Sequence, residues 1–296
     1  MIVPWLKGFL HFSKAPLTWT IVAVNVFIFF LTYDPDTKKT NHFFSDTKKF
    51  EMTANLYHQY LGGQGILPQE QQILVGARAM KDSQFIQQAE KLEFHGDEIE
   101  IAEWKKAIVD FRESLSLRTA GIFGFHFDQN QSLTFITYQF MHAGVIHLIS
   151  NMLMLVLFAA ALEQIAGGLI TVGIYLLGGI AGAYGFLSLG EPTLAPLVGA
   201  SGSLSAIMAF YATIEMKKRV SFFYFLSPIK GYYGWLWLPT WMIFLLCFVP
   251  DLASYFSTSD EVGSGVAYTA HIGGMLFGIG AGFMHKKLNS YVIPIF

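Results

Sequence analysis

The sequence predicts an all-α, polytopic membrane protein, a bundle of six transmembrane helices with a small helical insert outside the membrane. Charged residues make up only 14% of the 296 residues, whereas soluble chains average about 25%. Six stretches contain no Lys, Arg, Asp or Glu, and each approaches the length of about 20 residues that a spanning helix needs. They are residues 17–33, 139–162, 164–190, 192–214, 231–250 and 262–284.

The remaining charges are concentrated in one segment, because 25 of the 40 charged residues lie within residues 34–118. This segment is the predicted water-facing insert. Asp97 and Glu100 have the spacing of a helix-capping box, and apolar residues then recur at helical spacing as far as Leu115. We therefore expect a helix from residue 97 to about 117 and a second helix around 82–94. Periodic apolar positions favour a small packed subdomain over a disordered linker.

The rest of the chain divides around this insert. Residues 1–16 form a predicted cytoplasmic or interfacial segment, because residues 1–13 combine aromatic residues with Lys7 and His11, which is typical of a segment at the membrane surface. Residues 17–33 are interpreted as a retained first span, since no small-residue cleavage site follows them. Residues 119–288 form the predicted core with spans two to six, and 289–296 form a C-terminal tail.

Basic residues in the short loops predict the orientation of the bundle. If six spans alternate, one side receives Lys7, Lys14, Lys217, Lys218, Arg219, Lys230, Lys286 and Lys287. The opposite short loop, residues 251–265, contains Asp251, Asp260 and Glu261 and no basic residue. We therefore expect both termini in the cytoplasm and the insert outside. Ser201 and His271 then lie in the outer half of the membrane.

A turn of small residues precedes the fourth predicted span, with the sequence Gly199-Ala200-Ser201-Gly202. Such a turn allows close backbone approach, and a helix start leaves N–H groups that suit a developing oxyanion. Small residues also promote tight packing of membrane helices, and packing is the better explanation of this turn when it is taken alone.

Histidines in two other predicted spans favour a catalytic role for this turn over packing alone. Ionisable residues within spans are rare and usually functional, and histidine can transfer protons near neutral pH. His271 lies in span six and is followed by Gly274 and Gly278. In span two, His147 and Asn151 are four residues apart and share one helical face. An interhelical hydrogen-bond clamp is the structural alternative for this pair.

Several other chemistries receive no support from the sequence. His142 and His147 are five residues apart, on different helical faces, and no His-Glu-x-x-His motif is present, so no metal is expected. Neither a phosphate loop nor a nucleotide fingerprint occurs, so no cofactor is expected, and no basic surface predicts nucleic-acid binding. The single cysteine, Cys247, lies within an apolar run and is a poor candidate nucleophile.

Together these residues resemble the three signatures of rhomboid intramembrane serine proteases of the bacterial type. The signatures are Gly199-Ala200-Ser201-Gly202, His142 with His147-x-x-x-Asn151, and Ala270-His271-x-x-Gly274-x-x-x-Gly278. The segment from Thr137 to Gly144 and the later Glu163 are also similar to that family. The resemblance covers span one and residues 132–285 and leaves most of the insert outside it. It implies a bacterial plasma membrane location.

The resemblance implies a Ser-His dyad that hydrolyses peptide bonds in or beside transmembrane segments of other proteins. Ser201 is the implied nucleophile and His271 the general base and acid. The Ser201 backbone N–H, His147 and Asn151 are the implied oxyanion donors. His142, Gly199, Gly202 and Gly274 are implied supporting residues.

Two positions depart from the family pattern. Ser205 replaces an aromatic residue that often stacks on the catalytic histidine, and its hydroxyl is a candidate for positioning His271 instead. Leu133 and Thr134 replace a tryptophan-arginine pair in the first outer loop.

Transmembrane protein substrates and membrane lipid are the partners expected for such an enzyme. A catalytically silent relative that binds transmembrane clients is the main alternative, but those relatives lack the serine or the histidine. A transporter is a further alternative, although the halves show no inverted repeat and no chain of carboxylates.

Overall fold

The computed structural model describes residues 2–5, 12–33, 46–80, 82–116, 119–127, 132–190, 193, 195–225, 233–257 and 268–292. These residues are predominantly helical, as the sequence predicts. In chain order, the helices are α1 (Pro16–Thr32), α2 (Thr47–Tyr60), α3 (Gln69–Ala79), α4 (Ser83–Gln88), α5 (Glu98–Ser116), α6 (Thr119–Phe123), α7 (Thr134–Thr137), α8 (Val145–Ala166), α9 (Gly168–Leu189), α10 (Ser201–Ile214), α11 (Met242–Ser257) and α12 (Tyr268–Val292).

Two of the described helices are long and apolar enough to cross a membrane, α8 and α9, each with 22 residues. Shorter apolar helices are α1, α10 and the part of α11 from Met242 to Ala253. Large apolar side chains remain exposed on the outer faces of these helices, among them Phe30, Ile146 and Leu169. Lipid covers such side chains in a membrane-embedded bundle. The count of six spans stays a prediction.

A three-stranded sheet accompanies the helices, which the all-α prediction did not include. Its strands are β1 (Ile2–Trp5), β2 (Arg219–Phe225) and β3 (Tyr233–Pro239), antiparallel in the order β1-β2-β3. Arg219 lies opposite Pro239, and Trp5 lies opposite Ser221. The apolar run 231–250, predicted as one span, is therefore part strand and part helix. Apolar composition alone does not separate a buried strand from a short helix.

The insert folds around a core of its own. Buried residues from α2, α4 and α5 meet there, including Leu56, Phe85, Trp104 and Ile108. The indole N–H of Trp104 donates to Thr53, so its polar edge is satisfied. Helix α5 confirms the predicted helix from 97 to about 117, and Asp97 accepts from the N–H of Glu100 as a cap. The second predicted helix is shorter than 82–94 and spans only α4.

Buried polar side chains connect the bundle helices. Glu163 on α8 accepts hydrogen bonds from the N–H groups of Leu17 and Thr18 and from the Thr18 hydroxyl. These contacts satisfy donors at the start of α1 that have no partner within the helix. Gln139 accepts from the Ser203 hydroxyl on α10 and donates to the Leu176 carbonyl on α9. Such interhelical bonds fix how the helices sit against one another.

The first outer loop is joined to the segment before Ser201 without the tryptophan-arginine pair. Phe125 and Leu197 exchange two backbone hydrogen bonds, with N–O distances of 3.0 and 2.7 Å. The Phe125 ring packs edge-on against Phe135 at 4.6 Å between centroids. Thr134 is buried, whereas Leu133 is exposed. An aromatic cluster therefore holds the segment that leads into the candidate site.

Candidate active site

Ser201 is the first residue of α10 and comes two residues after a glycine with a positive φ. Gly199 has φ of +125°, a conformation that favours glycine. Its N–H donates to the carbonyl of Tyr138 at 2.9 Å, which fixes the turn on the segment before α8. Because Ser201 opens the helix, its N–H belongs to the first turn, where the helix itself supplies no acceptor.

His147 and Asn151 on α8 lie directly over this turn. A β-carbon added to Gly199 would be 2.8 Å from Cε1 of His147 and 3.6 Å from Nδ2 of Asn151. A side chain at residue 199 would therefore collide with the imidazole. The structure brings both predicted oxyanion donors to the turn that carries Ser201.

The Asn151 amide has an unused donor. Asn151 is only 6% exposed, and its Nδ2 has no hydrogen-bond partner among the described residues. Leaving a buried donor unpaired typically costs about 1–3 kcal/mol. A ligand oxygen placed at this amide would recover that cost.

His142 makes a ring contact with His147. The two imidazoles meet at 65° with 5.2 Å between their centroids. His142 is buried, and neither ring nitrogen has a hydrogen-bond partner in the described part of the chain. Across the same residues, no group of three or more His, Cys, Asp or Glu side chains is arranged to hold a metal ion.

Close glycine packing brings His271 toward Ser201. His271 lies in the first turn of α12, which crosses α10. A β-carbon on Gly274 would collide with the carbonyl of Gly202, and one on Gly202 would lie 3.5 Å from the carbonyl oxygen of Ala270. Ser201 and His271 are the chain neighbours of Gly202 and Ala270. The crossing therefore places the first turns of the two helices side by side.

Asp251 and Tyr268 lie next to the His271 ring. Its Nδ1 lies 3.0 Å from Oδ2 of Asp251 on α11. The Tyr268 ring approaches it edge-on, with 6.5 Å between centroids. Ser205, in contrast, donates its hydroxyl proton to the carbonyl of Ser201 at 2.9 Å.

Asp251 is the residue at this site that the sequence analysis missed. It was assigned to an outer loop, but the structure places it within α11, immediately after Pro250. The sequence contained one signal for it. A carboxylate directly after an apolar run marks the outer end of the fifth predicted span, and His271 is predicted in the outer half of the sixth.

Comparisons with known proteins agree with these features. The family model for the rhomboid domain matches residues 129–287, more than half of the chain. Rhomboid-related protein 2 of Mus musculus is 31% identical over 163 residues, which is 52% of this chain and 48% of the mouse protein. The chain thus spans about half the length of this relative. The matched segment includes α8 to α11, most of α12 and every candidate site residue, and the chain belongs to the rhomboid family of membrane-embedded proteins.

Proposed function

We propose that this protein is an intramembrane serine endopeptidase that cleaves peptide bonds in or next to transmembrane segments. Ser201 is the nucleophile and His271 is its general base and acid. The observation that carries the proposal is the buried Nδ2 of Asn151, which has no hydrogen-bond partner among the described residues and lies beside His147 over the Gly199 turn. That arrangement matches the donors needed where a carbonyl oxygen acquires charge.

The proposed reaction has two stages. Ser201 Oγ attacks the substrate carbonyl carbon while His271 takes the hydroxyl proton. The resulting oxyanion accepts hydrogen bonds from Asn151, His147 and the Ser201 N–H. The C–N bond then breaks, and the amine leaves with the proton held by His271. Water, activated by His271, hydrolyses the acyl-enzyme and regenerates Ser201.

We also propose a bacterial plasma membrane location with both termini in the cytoplasm and the insert outside. The basic residues Lys217, Lys218 and Arg219 support this orientation, since short cytoplasmic loops are enriched in positive charge. The substrates are then membrane proteins that present a span to the outer half of the bundle. Membrane lipid is the surrounding solvent.

Purified protein in liposomes, incubated with a model transmembrane substrate, tests the assignment. Ser201→Ala and His271→Ala should each abolish cleavage and labelling by a fluorophosphonate probe, because serine is a weak nucleophile without a base. Ser290→Ala, which removes an exposed hydroxyl near the end of α12, is the matched control, because that hydroxyl bonds to Lys287 of its own helix.

Two outcomes would contradict the proposed serine protease. Undiminished cleavage by Ser201→Ala would show that Ser201 is not the nucleophile. A wild-type protein that binds transmembrane helices but neither cleaves nor accepts the probe would identify a catalytically silent client-binding protein.

A further inference from the structure

A carboxylate from a third helix reaches the histidine of the proposed dyad. Asp251 Oδ2 is 3.0 Å from His271 Nδ1, and the two side chains are 17% and 16% exposed. Helix α11, which carries Asp251, packs against both α10 and α12. The pair therefore lies mostly out of contact with solvent, within the group of helices that contains the site.

The chemistry of the contact determines the tautomer of His271. An ionised carboxylate only accepts hydrogen bonds, so the neutral imidazole must carry its proton on Nδ1 to make this bond. Its Nε2 then has a free lone pair. A general base requires this form, because an Nε2 that already bears a proton accepts none from serine.

We propose that Asp251 is a positioning residue for His271, so that the dyad becomes a Ser201–His271–Asp251 triad in which no proton moves to the carboxylate. The Nδ1 proton stays on the ring throughout, while Nε2 takes the serine proton and later returns it to the leaving amine. The negative charge of Asp251 stabilises the imidazolium formed in between. This inference rests on the proposed function.

The residues at positions 205 and 268 explain why a carboxylate orients the His271 ring. The position that often holds a stacking aromatic is Ser205, and its hydroxyl proton is used on the Ser201 carbonyl. Tyr268 meets His271 only edge-on. Asp251 supplies an orienting hydrogen bond that these two residues do not.

Kinetics provide the first test. Asp251→Asn and Asp251→Ala should lower kcat by about 100-fold or more while KM changes little, since losing tautomer control in soluble enzymes reaches about 10⁴-fold. Asp251→Glu keeps the carboxylate and should recover part of kcat. Asp110→Asn, on the exposed face of α5, is the charge-matched control. A kcat within about threefold of wild type for Asp251→Asn would overturn the proposal.

A second measurement is independent of turnover. In Ser201→Ala protein, ¹⁵N-histidine NMR identifies which nitrogen of the His271 ring carries the proton, with the signal assigned by its loss on His271→Ala. We expect the proton on Nδ1, and a shift toward the Nε2 form when Asp251→Ala is added. An Nε2–H tautomer in the Ser201→Ala protein would overturn the positioning role even if wild type is active. If the proton is found on Nδ1 as expected but the wild-type protein never cleaves a substrate, the Asp251–His271 contact stands and the protease assignment is rejected.

Discussion

Gly274 and Gly202 lie in backbone contact where α12 crosses α10, since a β-carbon on Gly274 would collide with the Gly202 carbonyl. This contact brings the first turns of the two helices together and sets the approach of His271 to Ser201. The site therefore depends on a residue that contributes no reactive group.

Gly274→Ala should weaken both stability and activity. The added methyl group forces α12 away from α10, and overpacking of this kind costs about 1–3 kcal/mol. Thermal unfolding and cleavage of a model substrate measure the two effects. Gly280→Ala is the control on the same helix, because a β-carbon there meets nothing within 4 Å. Equal losses from both substitutions would contradict a specific role for the crossing.

Asn151→Ala should lower kcat more than it raises KM, because an oxyanion donor acts mainly in the transition state. The expected loss is about 10²–10³-fold, and His147→Ala should behave similarly. Gln164→Ala is a matched amide deletion on α8, since Gln164 bonds to its own helix at Ala160. If either site variant changed only KM, that residue would belong to substrate binding or packing.

Substrates should carry small or helix-breaking residues near the outer end of their spans. A protease binds its substrate in extended form, and unwinding costs least where such residues occur. Replacing them with leucine in a cleaved substrate should slow its cleavage in liposomes. Equal rates for the two versions would count against this requirement.

Removal of the insert should leave peptide cleavage intact. Its core residues, from Leu56 to Phe111, form a cluster separate from those of the bundle. Replacing residues 40–116 with a flexible linker should therefore preserve cleavage of a small peptide, while cleavage of a full-length transmembrane substrate tests whether the insert controls access. A folded deletion variant without peptide cleavage would show that the insert builds part of the site.

The insert should be accessible from outside the cell. Gln84 is an exposed position on α4, whereas neighbouring Ser83 is buried. With Cys247→Ser in place, Gln84→Cys should react with a membrane-impermeant thiol reagent in intact cells. Lys217→Cys, in the proposed cytoplasmic loop, should react only after lysis. The reverse pattern of labelling would show that the topology is opposite to the proposed one.

Local patterns in the sequence predict much of the helical framework. The uncharged runs 139–162 and 164–190 anticipated α8 and α9, and the capping residues around Asp97 anticipated the start of α5. The spacing of His147 and Asn151 placed both on one face of α8. Periodicity and capping depend on residues within a few positions of one another, so they can be read along the chain.

Contacts between distant elements required the tertiary structure. The run 231–250 divided into β3 and α11 because β3 pairs with β2, an arrangement that apolar composition does not encode. Asp251 was read as a loop charge until the packing of α11 against α12 placed it 3.0 Å from His271. The sequence by itself determined which groups were available for catalysis, whereas helix crossings at glycine determined which of them meet, because side-chain contacts between helices depend on how closely their backbones approach.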